Sequence, residues 1–134
     1  MSTEPVKPPR AASTILLLRD SADNRGEIEV FMMVRHYEID FNSGALVFPG
    51  GSVDKGDKEI IATPELYAGG EGLDEAALSF RIAAIRETFE ESGLLLAREE
   101  PDRGLLGGAR LDAVHGRWKD AIAGGGRAFV DMVC

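Results

Sequence analysis

Three glutamates, Glu87, Glu90 and Glu91, stand at i, i+3 and i+4, so any helix that holds them brings their side chains within reach of one another. Unrelieved, the three charges repel. They also crowd a helix C-terminus, where the macrodipole disfavours anions. A hard divalent cation relieves both problems, because Mg²⁺, Mn²⁺ and Ca²⁺ prefer carboxylate oxygens. The triplet taken alone leaves a second reading open: a solvated acidic face in which Arg86 and Glu90 pair at i, i+4.

The element that must position these carboxylates is a helix from about Asp74 to Ser92. Leu78, Ile82, Ile85 and Phe89 recur at spacings of four, three and four, which predicts a buried helical stripe. At about 100° per residue the three glutamates fall on the opposite face. Gly93, just past the last turn, is a C-terminal stop. A second stretch, Phe48-Pro49-Gly50-Gly51, follows a short strand expected over Ala45–Phe48 and is expected to turn sharply. Glycines there let the backbone approach an ion or a phosphate closely, and Asp54 and Asp57 follow within six residues.

Together these stretches resemble the two halves of the Nudix box, G-x5-E-x7-R-E-U-x-E-E-x-G-U, where U is a bulky aliphatic residue. Arg86, Glu87, Glu90, Glu91, Gly93 and Leu94 match its second half, with Thr88 where an aliphatic residue is usual. Gly51 to Asp57 resembles the first half, with Asp57 in place of Glu. Residues 58–85, twenty-eight in number, stand where the box has seven. The acyl-coenzyme A diphosphatases of the peroxisomal kidney type look like this, with FPGG, a long insert and an intact box helix. Gly44 to Gly51 also resembles the end of a coenzyme A signature, although Asp40 stands where that signature has Arg.

The resemblance implies an α/β fold, a Nudix-type α/β/α sandwich with a mixed sheet, occupying residues 13–134 behind a flexible leader of residues 1–12 and carrying an insert at 58–72. It implies hydrolysis of the pyrophosphate bond in a nucleoside diphosphate linked to another moiety, coenzyme A or acyl-coenzyme A among them. An ADP-ribose or nucleotide-sugar pyrophosphatase would share the chemistry, and a Nudix-fold module that binds without hydrolysing is the alternative of a different class. Under this resemblance Glu90 and Glu91 bind Mg²⁺ or Mn²⁺, and Glu87 binds metal or acts as base on the attacking water. Arg86 orients a carboxylate and offsets the charge of the cluster. The carbonyl of Gly51 and the carboxylate of Asp57 are further metal candidates, and Gly50 lies on the substrate side. Arg35 is a candidate for a substrate phosphate, since its fork of donors suits phosphate oxygens, against the plainer reading of a polar strand end.

The remaining elements frame this site. Ser13–Arg19 and Glu27–Arg35 read as strands, the second from the alternation of Ile28, Val30, Met32 and Val34, joined by a polar turn as a hairpin. Lys58 to Gly72 reads as loop with a helical turn around Pro64 to Tyr67. Leu94–Ala97 reads as a short strand or extended exit. Leu111, Val114, Trp118, Ala121 and Ile122 mark a second amphipathic helix ended by Gly124-Gly125-Gly126, and an apolar turn follows at Phe129 to Val133. His36 and His115 lack partners at ligand spacing and read as surface or capping residues.

The 134 residues suffice for one domain with a hydrophobic core. A net charge of −8 argues against bulk binding to nucleic acid or anionic membrane, and in a phosphate-ester enzyme bound metal must supply the missing positive charge. The single cysteine, Cys134, excludes an internal disulfide and fits a reducing, cytoplasmic setting. Three strand candidates precede residue 50 and one weak one follows Leu94. The chain is therefore expected to be the N-terminal part of a longer protein, whose uncovered edges and apolar patches would favour homo-oligomers.

Overall fold

Alternating apolar residues in the first third of the chain become three antiparallel strand pairs. The computed structural model describes residues 6–34, 44–101 and 103–134. Strand β1 (Ala12–Thr14) pairs with β6 (Gly50–Ser52), β2 (Leu18–Asp20) with β3 (Ile28–Val30), and β4 (Met33–Val34) with β5 (Leu46–Val47). All pairings among the described residues are antiparallel. The expected strand Ser13–Arg19 is divided in two around Ile15–Leu17. Backbone bonds still tie this bend to its neighbours, from Ile15 N–H to the Pro49 carbonyl and from Phe31 N–H to the Leu17 carbonyl, both 3.0 Å. The hairpin β2–β3 forms as expected, with Leu18 opposite Val30. Ala12, assigned from sequence to the leader, belongs to β1 and faces Ser52.

Side chains of successive strand residues point to opposite faces. One face meets the helices: Ser13 and Ile15 line a cleft together with Phe80, Ala84 and Ile85. The other face is bare. Leu16, Leu18, Ile28, Val30, Met32, Val34 and Leu46, all at even positions, are exposed.

The helix layer begins earlier than composition suggested. Helix α1 (Lys55–Ile61) starts before the Lys58–Gly72 stretch read as loop and runs into it, because Asp54 caps it. Asp54 Oδ1 accepts from the Gly56 and Asp57 amides, while Asp57 Oδ2 accepts from the Asp54 amide at 2.8 Å, a reciprocal capping box. A single 3-10 turn at Pro64–Leu66 sits where a helical turn was expected. Helix α2 (Glu75–Ser92) has the expected bounds: Asp74 accepts from the Ala77 amide at 2.7 Å, and Gly93 ends the helix at φ +74°. That left-handed conformation costs a glycine little. Helices α3 (Gly108–Ala123) and α4 (Ala128–Val133) follow. Leu94–Ala97 forms no strand, although Leu95 is buried.

Ile82 and Phe89 of α2 pack with Ile60 of α1, Leu95, Ile122 of α3, and Phe129 and Val130 of α4 in one cluster. Burying each such side chain contributes roughly 1.5–3 kcal/mol. Ile60 makes the front of the insert part of this core.

Candidate active site

Gly50 and Gly51 do not turn. They form strand β6, and their lack of a side chain makes room for the β1 backbone at Gly50 and for the Glu87 carboxylate at Gly51. A Cβ on Gly50 would come to 2.3 Å from the Ser13 carbonyl oxygen, and one on Gly51 to 2.3 Å from the Glu87 carboxylate carbon. Both separations are shorter than real Cβ contacts: at Gly50 a side chain would strike the backbone of β1, and at Gly51 it would push the Glu87 carboxylate out of its place. The chain bends at Pro49, but the turn expected to run on through the glycines is extended backbone laid along the acidic face of the helix.

Three side chains of α2 reach that backbone. Glu87 presses on the Gly51 Cα. Glu91 Oε2 accepts from the Gly50 amide at 3.0 Å, and Arg86 NH2 donates to the Ser52 carbonyl at 2.8 Å. The two stretches that resemble the box halves, far apart in sequence, thus meet in space.

Arg86 is the centre of the arrangement and is 6% exposed. Its Nε donates to Asp57 Oδ1 at 2.9 Å and its NH2 to Asp57 Oδ2 at 3.1 Å, a bidentate pair with a fully buried carboxylate. Its NH1 donates to Glu87 Oε1 at 2.9 Å and to Glu90 Oε1 at 3.2 Å. Burial by itself would disfavour the cation, but bonds to and charge attraction from Asp57, followed by Glu87 and Glu90, raise the Arg86 pKa above its ordinary value. Asp57 in turn holds the α1 cap, so one ion pair locks α1 to α2. This places Asp57, considered from sequence as a metal candidate, inside the protein with both oxygens engaged.

The glutamates retain acidic strain. Desolvation raises the pKa of Glu90 above the ordinary carboxylate range; attraction from Arg86 opposes the shift, and repulsion from Glu87 and Asp54 adds to it. Arg86 neutralises part of the cluster. Among the described residues, no three His, Cys, Asp or Glu side chains gather closely enough to hold an ion: Glu87 and Glu90 turn to Arg86 and Glu91 turns to Gly50. The donor chemistry nonetheless suits a hard cation, with three carboxylates on adjacent turns beside a strand stripped of side chains. The cradle at Gly51, which a Cβ would fill, brings backbone as well as carboxylate to the same place.

Arg35 lies outside the described residues, as do His36, Tyr37 and Asp40. His115 stacks edge-on against Phe89, with ring centroids 5.7 Å apart, and backs onto Gly93, so it supports the end of α2 away from the carboxylates. Thr88, at the aliphatic position of the box, is fully buried and donates its hydroxyl to the Ala84 carbonyl at 2.7 Å, which removes the cost of burying a polar atom there. Sequence reading missed Asp54 as a cap, though Asp54-x-x-Asp57 is itself a capping-box pattern. It also missed the Ser52 carbonyl, which nothing in the residue types announces.

Comparison with known proteins supports the same frame. No protein-family model matches the chain. A relative from Caenorhabditis elegans, described as "Putative nudix hydrolase 7", is 39% identical over 85 residues, which is 63% of this chain and 21% of the relative. The crystal structure of a NUDIX hydrolase from Alicyclobacillus acidocaldarius superposes with a TM-score of 0.70 at 26% identity, covering 94% of this chain and 54% of that one. The chain thus spans about a fifth of the curated relative and about half of the solved structure.

Proposed function

We propose, from a chain that has the Nudix fold and whose relative and structural neighbour both support the Nudix hydrolase family, that it carries the metal-binding half of a pyrophosphohydrolase site. The substrate class is a nucleoside diphosphate joined to a second moiety, with coenzyme A and its acyl esters as the members the interrupted box favours. The observation that carries this reading is the contact of Glu87 with Gly51, which brings a side-chain-free strand against the acidic face of α2.

In this proposal Glu87, Glu90 and Glu91 would hold Mg²⁺ or Mn²⁺. Such an ion makes water a better nucleophile at neutral pH and neutralises charge on the phosphorus under attack. The protein's own contribution is positional. Asp57 fixes the Arg86 guanidinium, and Arg86 fixes the rotamers of Glu87 and Glu90. The Gly50 amide helps to orient Glu91. Glu87, whose carboxylate lies beside Gly51, would either hold the ion with the other two or take a proton from the attacking water. Arg86 acts through these carboxylates as a positioning residue.

A panel of coenzyme A, acyl-coenzyme A, ADP-ribose and dinucleoside substrates with Mg²⁺ and Mn²⁺ tests the reading. Metal-dependent release of two phosphate-bearing products from at least one of them, abolished in Glu91→Gln, is expected. Saturable ligand binding without turnover would instead favour the binding-module alternative, for which the capture of Glu87 and Glu90 by Arg86 is the supporting observation.

A further inference from the structure

We propose that the cleft between β1 and α2 binds a small amphipathic anion, a carboxylate carried on an apolar chain. Ser13, Thr14 and Ile15 line it from the strand side, and Phe80, Arg81, Ala84 and Ile85 line it from α2. Leu96 adds to it from the segment that follows the helix. Its volume is about 400 Å³, toward the lower end of the roughly 300–1,000 Å³ of sites that hold small molecules. Ile15, Phe80, Ala84, Ile85 and Leu96 make most of the lining apolar, and Phe80 is 39% exposed there. Such a lining takes an apolar body, and its few polar groups decide which one.

Those polar groups select an acceptor with negative charge. The Ser13 and Thr14 hydroxyls and the Arg81 guanidinium can all donate, and no carboxylate lines the cleft. Ser13 Oγ is buried and has no hydrogen-bond partner among the described residues. A hydroxyl left in that state costs folding free energy, which a ligand oxygen bonded to it would recover. Arg81 is exposed and forms no ion pair or side-chain hydrogen bond among the described residues. Its neighbours one turn away on α2, Ala77, Leu78, Ala84 and Ile85, are uncharged, so the helix supplies no counter-ion. A carboxylate supplies one and accepts from both a guanidinium and a hydroxyl. None of Glu87, Glu90 and Glu91 lines the cleft, so this proposal stands or falls apart from the pyrophosphohydrolase reading.

Calorimetric titration of the 134-residue chain with octanoate, butanoate and 1-octanol, without divalent metal, tests this. Octanoate is expected to saturate one site at least about tenfold more tightly than butanoate, since each buried methylene contributes up to roughly fourfold. Arg81→Gln should weaken octanoate by about fivefold or more and leave octanol unchanged, a contrast that a merely structural role would not produce. Ser13→Ala should weaken octanoate while the melting temperature of the free protein holds or rises, because the partnerless hydroxyl is gone. Leu18→Ser, on the bare face of the strands, should leave binding as it is. Absence of saturable octanoate binding overturns the proposal. So does binding that Leu18→Ser abolishes, which would put the ligand on the bare face. Binding indifferent to Arg81→Gln and Ser13→Ala, or an Arg81→Gln loss equal for octanoate and octanol, overturns it as well.

Discussion

The two faces of the strand layer are built from similar amounts of sequence and differ in nearly every physical respect. On the helix-covered face, glycine brings β6 against α2, a buried bidentate ion pair locks two helices, and the acidic groups have protein partners within 3.2 Å. On the other face, large apolar side chains of β2 to β5 stand in the open. The strands are the same. What differs is the cover: a sheet residue gains stability from the layer packed on it as much as from its own strand. Chemistry that needs fixed geometry is favoured on the first face.

If that contrast is right, the largest effect comes from the buried pair. Asp57→Ala leaves the Arg86 cation buried without its main partner and uncaps α1, so unfolding free energy should fall by about 3–5 kcal/mol in urea titration. A loss below about 1 kcal/mol would mean that the pair is solvated and the two faces are less different than described.

Gly51→Ala ranks next. The methyl group must displace the Glu87 carboxylate, the movable end of a flexible side chain, so the cost to stability should stay small. Mn²⁺ affinity measured by calorimetry should drop by more than the folding cost alone implies. An unchanged affinity would separate Glu87 from the metal. Replacing residues 58–72 with a Gly-Ser linker should also destabilise the fold, because Ile60 belongs to the core. Substrate choice alone would have changed had the whole insert been surface loop.

Smaller effects are expected on the bare face. Leu46→Ser, at a residue 63% exposed, should change the stability of the monomer by no more than about 0.5 kcal/mol, as usual for surface sites. A loss of several kcal/mol would show that this face is covered within a single chain. The smallest effect concerns Glu29, whose pKa is lowered by its hydrogen bond and charge attraction to exposed Arg19. Its contribution is present above the unfolded-state pKa and lost as pH falls through the folded value, so the small stability difference between wild type and Glu29→Gln should be present at neutral pH and vanish below the ordinary carboxylate range. A difference that appears only at the acid end would contradict that sign.

Helix α2 was legible because its periodicity, Asp74 cap and Gly93 stop all agree, and its box residues sit on the same scaffold. The hairpin was legible for the same reason. Gly50 and Gly51 misled: adjacent glycines ordinarily mark a turn, whereas here Gly50 answers a close approach by the β1 backbone and Gly51 one by Glu87, tertiary facts absent from local pattern. Arg86 was placed with the polar face of α2 and is nevertheless buried, since α2 packs against α1 as well as β6 and β1. Helix α1 was hidden by the mixed composition of the insert, although Asp54 and Asp57 announce its cap. The resemblance to the box located the carboxylates; the structure alone shows them turned toward Arg86 and Gly50.

The central claim is that the acidic face of α2 binds a divalent cation through its glutamates. Calorimetric titration of Mn²⁺ into the wild-type chain and Glu91→Gln tests it most directly. Saturable binding by the wild type, weakened at least about tenfold in a variant that melts at the same temperature, is the predicted result and corresponds to about 1.4 kcal/mol or more. Equal binding by the two proteins, or none by the wild type, would contradict it.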